Sequence, residues 1–296
     1  MATGRPRPSI MAHEVPARTL ITADLTPERF KRFAEFITRE LGIKMSEQKI
    51  PMLQSRLHRR LRALGLPSVE AYQEYLFDSG QAEAELADFI DAVTTNKTDF
   101  LREPHHFEFL VNQVLPTLAA ETAPRAFKLW CAGCSTGEEP YTLCMYLSEY
   151  AEAHPGFDFS LFATDISTQV LRNAHSAVYD EKRIDPIPLA WRRKYLLRSR
   201  DPAKQVVRFV PQLRAKVRFA RLNFMDPDYG VDEMFDAVFF RNVMIYFDRP
   251  TQEAVVGKLC RQLRPGGYFF TGHSESLLGL DVPLRMVASA VYRKPA

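Results

Sequence analysis

The sequence predicts an α/β domain on a mostly parallel sheet, preceded by an all-helical domain, and three observations carry that expectation. From Phe127 onward short apolar runs alternate with helical segments, the pattern of strands joined by crossover helices. Before that point the chain reads helical, with few strand-like runs. Between them lies FKLWCAGCSTGEEPYTLCMY, residues 127–146, an apolar strand that breaks into a small-residue loop and reopens as a helix. Such a turn lets bare backbone approach a bound molecule at a helix N-terminus. A length of 296 residues with 46% hydrophobic content suits about two domains, each with its own core.

Residues 1–22 are rich in Pro and Arg, lack any period and read as a disordered tail. No apolar run approaches the roughly 20 residues of a membrane span, and the start MATGRPRPSI has no apolar signal core, so no membrane insertion and a cytoplasmic location are expected. The helical domain is expected over 23–95. Its first helix starts with Thr26 as cap and Pro27 at the first position, followed by Phe30, Phe33, Ile37 and Leu41. Further helices are expected at 46–64, 68–78, 82–94 and 104–119, the last within a linker over 96–126. The α/β domain then fills 127–296. Its strands are expected at 127–132, 159–164, 217–222, 236–241, 268–272 and near 290–293, with helices near 138–151, 168–177 and 251–263. Around 186–216 four prolines surround the run Val206–Val210, which predicts a small antiparallel insertion.

Ligands of open α/β sheets sit beyond the carboxyl ends of the strands, so residues there come first. Asp165 ends the second strand, where such folds hold a carboxylate against ribose hydroxyls; a helix cap is the plainer alternative. Asn223 and Phe224 follow the third, an amide beside an aromatic, suited to a heteroaromatic base or simply to a turn. Arg241 and Asn242 end the fourth and run into Val243-Met244-Ile245-Tyr246-Phe247, where Tyr246 also suits an aromatic core. Gly133 and Gly137 lack the third glycine of a dinucleotide loop. Cys131 and Cys134 have the spacing of a thioredoxin-like redox pair. The four cysteines show no zinc spacing, so no metal is expected and buried, reduced thiols are.

The join Leu263-Arg264-Pro265-Gly266-Gly267 into YFFTG is frequent in Rossmann-like class I methyltransferases. Taken in order, Asn96-Lys97-Thr98-Asp99-Phe100-Leu101-Arg102, Ser135-Thr136-Gly137-Glu138-Glu139-Pro140-Tyr141, Asp165, Arg241–Phe247 and Gly272-His273-Ser274-Glu275 resemble the motifs of the chemotaxis receptor glutamate methyltransferases, the CheR family. The resemblance covers about residues 25–294. It implies an S-adenosylmethionine-binding α/β domain, a helical domain that recognises the cytoplasmic helical part of a chemotaxis receptor, and transfer of a methyl group to a glutamate carboxylate, leaving S-adenosylhomocysteine. Carried over position by position, the cofactor contacts are Asn96, Thr98, Arg102, Glu139, Asp165, Asn223, Phe224, Arg241 and Asn242. Phe224 departs from an aliphatic residue that other members carry. Arg102 and Tyr246 match residues placed beside the sulfonium methyl. Asn96 and Thr98 have a competing use as helix caps, and Arg102 as partner of the cofactor's own carboxylate.

The net charge of +3 hides an asymmetry. Residues 44–62 hold six Lys or Arg against Glu47 alone, while 70–91 hold seven Asp or Glu and no Lys or Arg. On a helix Leu53, Leu57, Leu61 and Leu64 form a core stripe, with Arg56, Arg59 and Arg60 on a neighbouring arc. A solvated face is the plain reading of the arginines. An acidic receptor helix makes Arg56, Arg59 and Arg62 candidate substrate contacts. The stretch 199–205 has none of the glycines of members that bind a receptor-tail pentapeptide, which argues against that partner. A nucleic-acid methyltransferase is the nearest rival, but no aromatics interleave the arginines and the fourth strand lacks an Asn-Pro-Pro-aromatic box. A non-catalytic cofactor-binding module is a further alternative. A monomer is expected.

Overall fold

The computed structural model describes residues 25–80, 83–121, 125–201 and 203–296, so the expected tail at 1–22 lies outside them. Helix α1 (Pro27–Leu41) starts with Thr26 Oγ1 accepting from the Arg29 amide at 3.4 Å and Pro27 in the first turn. It stops at Gly42, whose φ of 67° is left-handed and strains any side chain. Phe30, Phe33, Ile37 and Leu41 are buried against α2 (Ile50–Leu64), α3 (Val69–Phe77) and α4 (Glu83–Val93), through Leu53, Leu57, Tyr72 and Phe89.

Two expectations for α2 change. Its start moves from 46 to 50, because Pro51 in the first turn excludes a preceding helical carbonyl, and Glu47–Lys49 forms a separate 3₁₀ turn. Leu64, expected in the core stripe, is 37% exposed because the helix ends beside it at Gly65. Part of the basic charge is answered inside the domain. Arg60 pairs with Glu85 at 2.6 Å and with Asp88 at 2.7 Å, and the Tyr72 hydroxyl donates to Glu85 at 2.5 Å. Glu85 is buried, so removing its cation strands a carboxylate that keeps only one strong donor. Arg60→Ala is therefore expected to cost about 2 kcal/mol of stability, read as a lower urea midpoint at unchanged slope.

A helix interrupted by a π turn at Leu110–Val114, α5 (His105–Phe109) and α6 (Leu115–Glu121), leads into β1 (Phe127–Ala132). Then come α7 (Glu138–Ala153), β2 (Phe159–Asp165) and α8 (Thr168–Ser176). The antiparallel insertion starts earlier than expected. Its first strand β3 (Val178–Asp180) follows α8 directly, and α9 (Leu189–Tyr195), β4 (Leu196–Arg198), β5 (Val206–Phe209) and α10 (Pro211–Arg214) complete it, in strand order β3-β5-β4. A strand of three residues is too short to show a period.

The chain returns through β6 (Val217–Arg221), β7 (Phe235–Phe239), α11 (Arg249–Arg261), β8 (Leu263–Phe270), β9 (Arg285–Ala288) and β10 (Val291–Arg293). The large sheet has the order β6-β2-β1-β7-β8-β10-β9, parallel from β6 to β8 and antiparallel beyond. β8 starts at Leu263 rather than at 268: the Pro-Gly-Gly step is absorbed as a register shift against β7, with Gly266 at φ 75°. β9 was not expected from the sequence. Successive residues of β1 feed opposite cores, Leu129 and Cys131 on one face, Trp130 and Ala132 on the other, as a strand covered on both faces requires.

Candidate active site

The chain leaves β1 toward β2 on one side and leaves β7 toward β8 on the other, so strand order reverses between β1 and β7. Loops diverging there open a crevice at the strand C-termini. A cavity of 410 Å³ occupies it, roofed by the helical domain through Leu41, Lys49, Met52 and Val93. All of Asn96, Thr98, Arg102, Glu139, Asp165, Asn223, Phe224, Arg241, Asn242 and Tyr246 line it; Arg56, Arg59 and Arg62 do not. Gly133, at φ 84°, closes the base of the turn: a Cβ there would stand 2.5 Å from Val243 Cγ2.

Arg241 crosses the switch point. Its side chain is fully buried, with Nη1 on Glu139 Oε2 at 2.6 Å and Nη2 on both Glu103 Oε2 at 3.0 Å and the Arg102 carbonyl at 2.6 Å. Its Nε is buried without a partner among the described residues. Burial pushes the Glu103 carboxyl up, but Arg241 outweighs it and holds the group below the usual range. Glu139, in the first turn of α7, also accepts from the Cys131 thiol at 3.3 Å. Anion and cation thus sit side by side in the cavity wall.

Asp165 is held rigid at the end of β2. Its Oδ2 accepts from the Ser135 amide at 2.8 Å and its Oδ1 from the Ser167 amide at 3.0 Å. Burial pushes its carboxyl up, against the pull of those amides. The cap of α8 is Ser167, whose Oγ accepts from Val170, rather than Asp165. Asn223 does more than line the cavity. Its Nδ2 donates to the Glu40 carbonyl of α1 at 2.8 Å and its Oδ1 accepts from the Met225 amide at 3.0 Å, pinning the two domains together. Phe224 packs edge-on against Phe240.

Neither Asn96 nor Thr98 caps a helix, since α5 starts at His105 with Pro104 at the cap position and no side-chain cap. Instead the linker crosses the cavity mouth. The Asn96 carbonyl accepts from Ser135 Oγ at 2.9 Å, and the Thr98 carbonyl from Arg183 Nη2 at 2.7 Å. Arg183 also pairs with buried Glu138 at 2.8 Å, tying the small sheet to the start of α7. Arg102 is 38% exposed, bonded to the Lys97 carbonyl at 3.3 Å.

Tyr246 lies in a 3₁₀ turn, Met244–Tyr246, and its carbonyl accepts from the Lys44 amide at 2.8 Å. Burial pushes its phenol up, opposed by Arg102 and Arg56. The turn is fastened by Glu275, a residue quoted in a motif above but given no role there. Glu103, Arg183 and Glu275 are the contributors that sequence reasoning missed. Glu103 adjoins Arg102, and Glu275 stands in Gly-His-Ser-Glu; nothing local marks Arg183.

Side-chain placement bears on two of the sequence readings. Arg56 turns inward: it donates to the Val93 carbonyl, to the Thr94 carbonyl at 3.1 Å and to Thr95 Oγ1 at 2.9 Å. The end of α4 leaves carbonyls without helical donors, and Arg56 satisfies them. Arg59 and Arg62 are exposed on α2. Cys131 and Cys134 are free and buried, and burial pushes both thiols well above their usual range, which leaves them poor nucleophiles and disfavours the redox reading.

The donor set matches one ligand shape. A cation and an anion side by side suit a zwitterionic amino-acid end, the Asp165 carboxylate suits a diol, and Phe224 and Ile166 offer apolar surface for a base. Arg241 Nε, buried without a partner, leaves one more donor to satisfy there. With the strand order and the helical domain ahead of it, these features define a class I S-adenosylmethionine-dependent methyltransferase.

Residues 96–293 match the CheR methyltransferase SAM-binding domain, and residues 28–94 match the CheR methyltransferase all-alpha domain. The chemotaxis protein methyltransferase of Borreliella burgdorferi is 35% identical, over 93% of this chain and 96% of its own. Chemotaxis protein methyltransferase 2 of Pseudomonas aeruginosa is 38% identical over 90% and 93%, and the Escherichia coli chemotaxis protein methyltransferase 36% over 90% and 91%. The chain belongs to the CheR methyltransferase family. Its activity is S-adenosylmethionine-dependent methylation of glutamate side chains of chemotaxis receptors. Among the described residues no helix is long and apolar enough to cross a membrane.

Proposed function

We propose how this chain's residues divide that work. Glu139 takes the ammonium of S-adenosylmethionine, Arg102 or Arg241 its carboxylate, Asp165 the ribose diol, and the spare Nδ2 hydrogen and Oδ1 lone pair of Asn223 the adenine edge, with Phe224 against the ring. Asn96, Thr98 and Asn242 complete the enclosure from the linker and the β7 loop. The observation that carries this assignment is the single cavity in which linker, strand ends and the roof of the helical domain meet.

The bound cofactor supplies an electrophilic methyl group on its sulfonium. A glutamate with a reference pKa of about 4.3 is already ionised at neutral pH, so no side chain has to remove a proton. What the protein contributes is placement and exclusion of water. Arg102, half exposed at the mouth, orients the incoming carboxylate, while Tyr246 shapes the methyl pocket. Arg59 and Arg62, exposed on α2, are assigned to an acidic receptor helix. Arg56 acts behind them by holding the end of α4 and the linker in place. The hairpin at 199–205 is closed by Asp201 and has no glycine, so receptor capture is assigned to the helical domain rather than to a tail pentapeptide.

The test offers radiolabelled S-adenosylmethionine to a receptor cytoplasmic fragment and to RNA. Label on the fragment that mild base releases is expected; base-stable label, or label on RNA alone, overturns the glutamate reading. Arg59→Glu with Arg62→Glu is expected to raise KM for the fragment about tenfold, with cofactor affinity unchanged and the effect shrinking in salt. An unchanged KM would return that helix face to solvent.

A further inference from the structure

The 3₁₀ turn that carries Tyr246 is anchored in the core by Met244, which is 1% exposed. Ile245 beside it is 52% exposed, and Asn242, two residues from the turn, sits at φ 59°, a left-handed conformation that Asn tolerates better than other side chains. The group that holds the backbone amides of both is Glu275. It is 7% exposed, and no cation among the described residues pairs with it. Its Oε2 accepts from the Gly272 amide at 2.7 Å and the Asn242 amide at 2.8 Å, and its Oε1 from the Ile245 amide at 3.3 Å. A buried carboxylate is tolerated when several backbone amides converge on it.

A second observation shows that space has been cleared for this contact. A Cβ on Gly272 would stand 2.9 Å from Glu275 Oε2, would collide with Asn242 Nδ2 and would stand 3.0 Å from the Asn242 amide nitrogen. A side chain at 272 would have to push the Asn242 amide group or the Glu275 carboxylate out of place. One carboxylate therefore grips both the left-handed Asn242 and the first turn toward Tyr246, from a strand end on the other side of β7.

We infer that Glu275 is a positioning residue for methyl transfer: its carboxylate sets the backbone of residues 242–246 and so fixes Asn242 and Tyr246 against the cofactor's reactive end. The inference rests on the roles proposed above for those two residues. Glu139, in the first turn of α7, and Asp165, at the end of β2, make no contact with Glu275, so cofactor affinity should fall less than the rate of transfer.

Glu275→Gln keeps the shape but turns an NH₂ toward at least one backbone amide. Weakening one of the charge-assisted bonds that hold this turn is expected to lower the rate about 10- to 100-fold. Three readouts are expected from the full-length protein. Deuterium uptake at the amides of 242–246 rises in the cofactor-free variant while that of β1 and β2 stays as in the parent. Calorimetric affinity for S-adenosylhomocysteine falls by no more than about threefold, the share that Asn242 carries. The kcat for a receptor fragment falls about 10- to 100-fold at saturating cofactor, with KM for the cofactor little changed. Gly272→Ala, which pushes Asn242 off the same carboxylate, is expected to give the same signature should Glu275→Gln fold poorly. Unchanged exchange at 242–246, or affinity that falls in step with kcat, overturns the positioning role. Tyr246→Ala separates the two layers. A Tyr246→Ala variant with full activity sinks the proposed role of Tyr246, whereas a slow Tyr246→Ala beside a fast Glu275→Gln sinks only the inference about Glu275.

Discussion

Arg241→Ala is expected to leave less than about one-thousandth of the parent kcat/KM and to lower the unfolding free energy by about 3–5 kcal/mol. Both effects come from one geometry. Arg241 is fully buried and spans Glu139, Glu103 and the Arg102 carbonyl. Without it two carboxylates and a carbonyl face one another, and the linker that carries Arg102 and the α7 turn that carries Glu139 lose their common anchor. Arg241→Lys keeps the charge but offers a single ammonium, which cannot fork across three acceptors, so it is expected to restore part of the stability and little of the activity. The acid side supplies a sign. Glu103 is held below its ordinary range in the folded protein, so its pairing stabilises fully above the unfolded value of about 4.3 and is lost as pH falls through the lower folded value. Urea titrations of parent and Arg241→Ala should therefore converge on acidification below about pH 4. A gap that stays constant with pH would show that Glu103 is not part of the anchor.

What the sequence made legible follows from how far each cause lies from its effect along the chain. The start of α1 is local: Thr26 and Pro27 sit beside the turn they set. Asp165 was visible because a strand's end is where ligand residues collect, and the backbone amides that hold it come from the next loop and from Ser135. Asn223 and Arg56 show the limit. Asn223 lines the cavity and Arg56 stands on the basic helix, yet what each holds, the Glu40 carbonyl or the end of α4, lies far away in sequence. The same holds for backbone conformation. Leu101, Glu103, Ser135 and Asn242 all adopt positive φ around the crevice, at 57°, 56°, 49° and 59°. Only Asn signals such a conformation by its type. The other three are imposed by long-range contacts, and a pattern read along the chain has no access to those.

Asp165→Asn tests the cofactor half of the site with two readouts that should move apart. The carboxylate has lone pairs beyond those taken by Ser135 and Ser167, and the proposed use of the spare ones is the ribose diol. Asparagine keeps one acceptor oxygen and turns an NH₂ toward one of the two amides. Losing one or two charge-assisted bonds to the ligand predicts S-adenosylhomocysteine affinity weakened on the order of 100-fold by calorimetry. Stability should move far less. Burial already holds the Asp165 carboxyl above its ordinary range, so its ionised form opposes folding at neutral pH, and the neutral amide removes that cost while forfeiting one backbone bond. The sign follows from the raised value: the folded protein binds this proton more tightly than the unfolded chain, so the opposition fades as pH falls through the folded pKa. Cofactor affinity runs the other way, since it needs the charged form; in the parent it should weaken over that acid range, and in Asp165→Asn the contribution of this group should be flat. An Asp165→Asn variant that loses as much stability as it loses binding free energy would make Asp165 a structural clamp on the β1 and β2 loops, with the ribose held elsewhere.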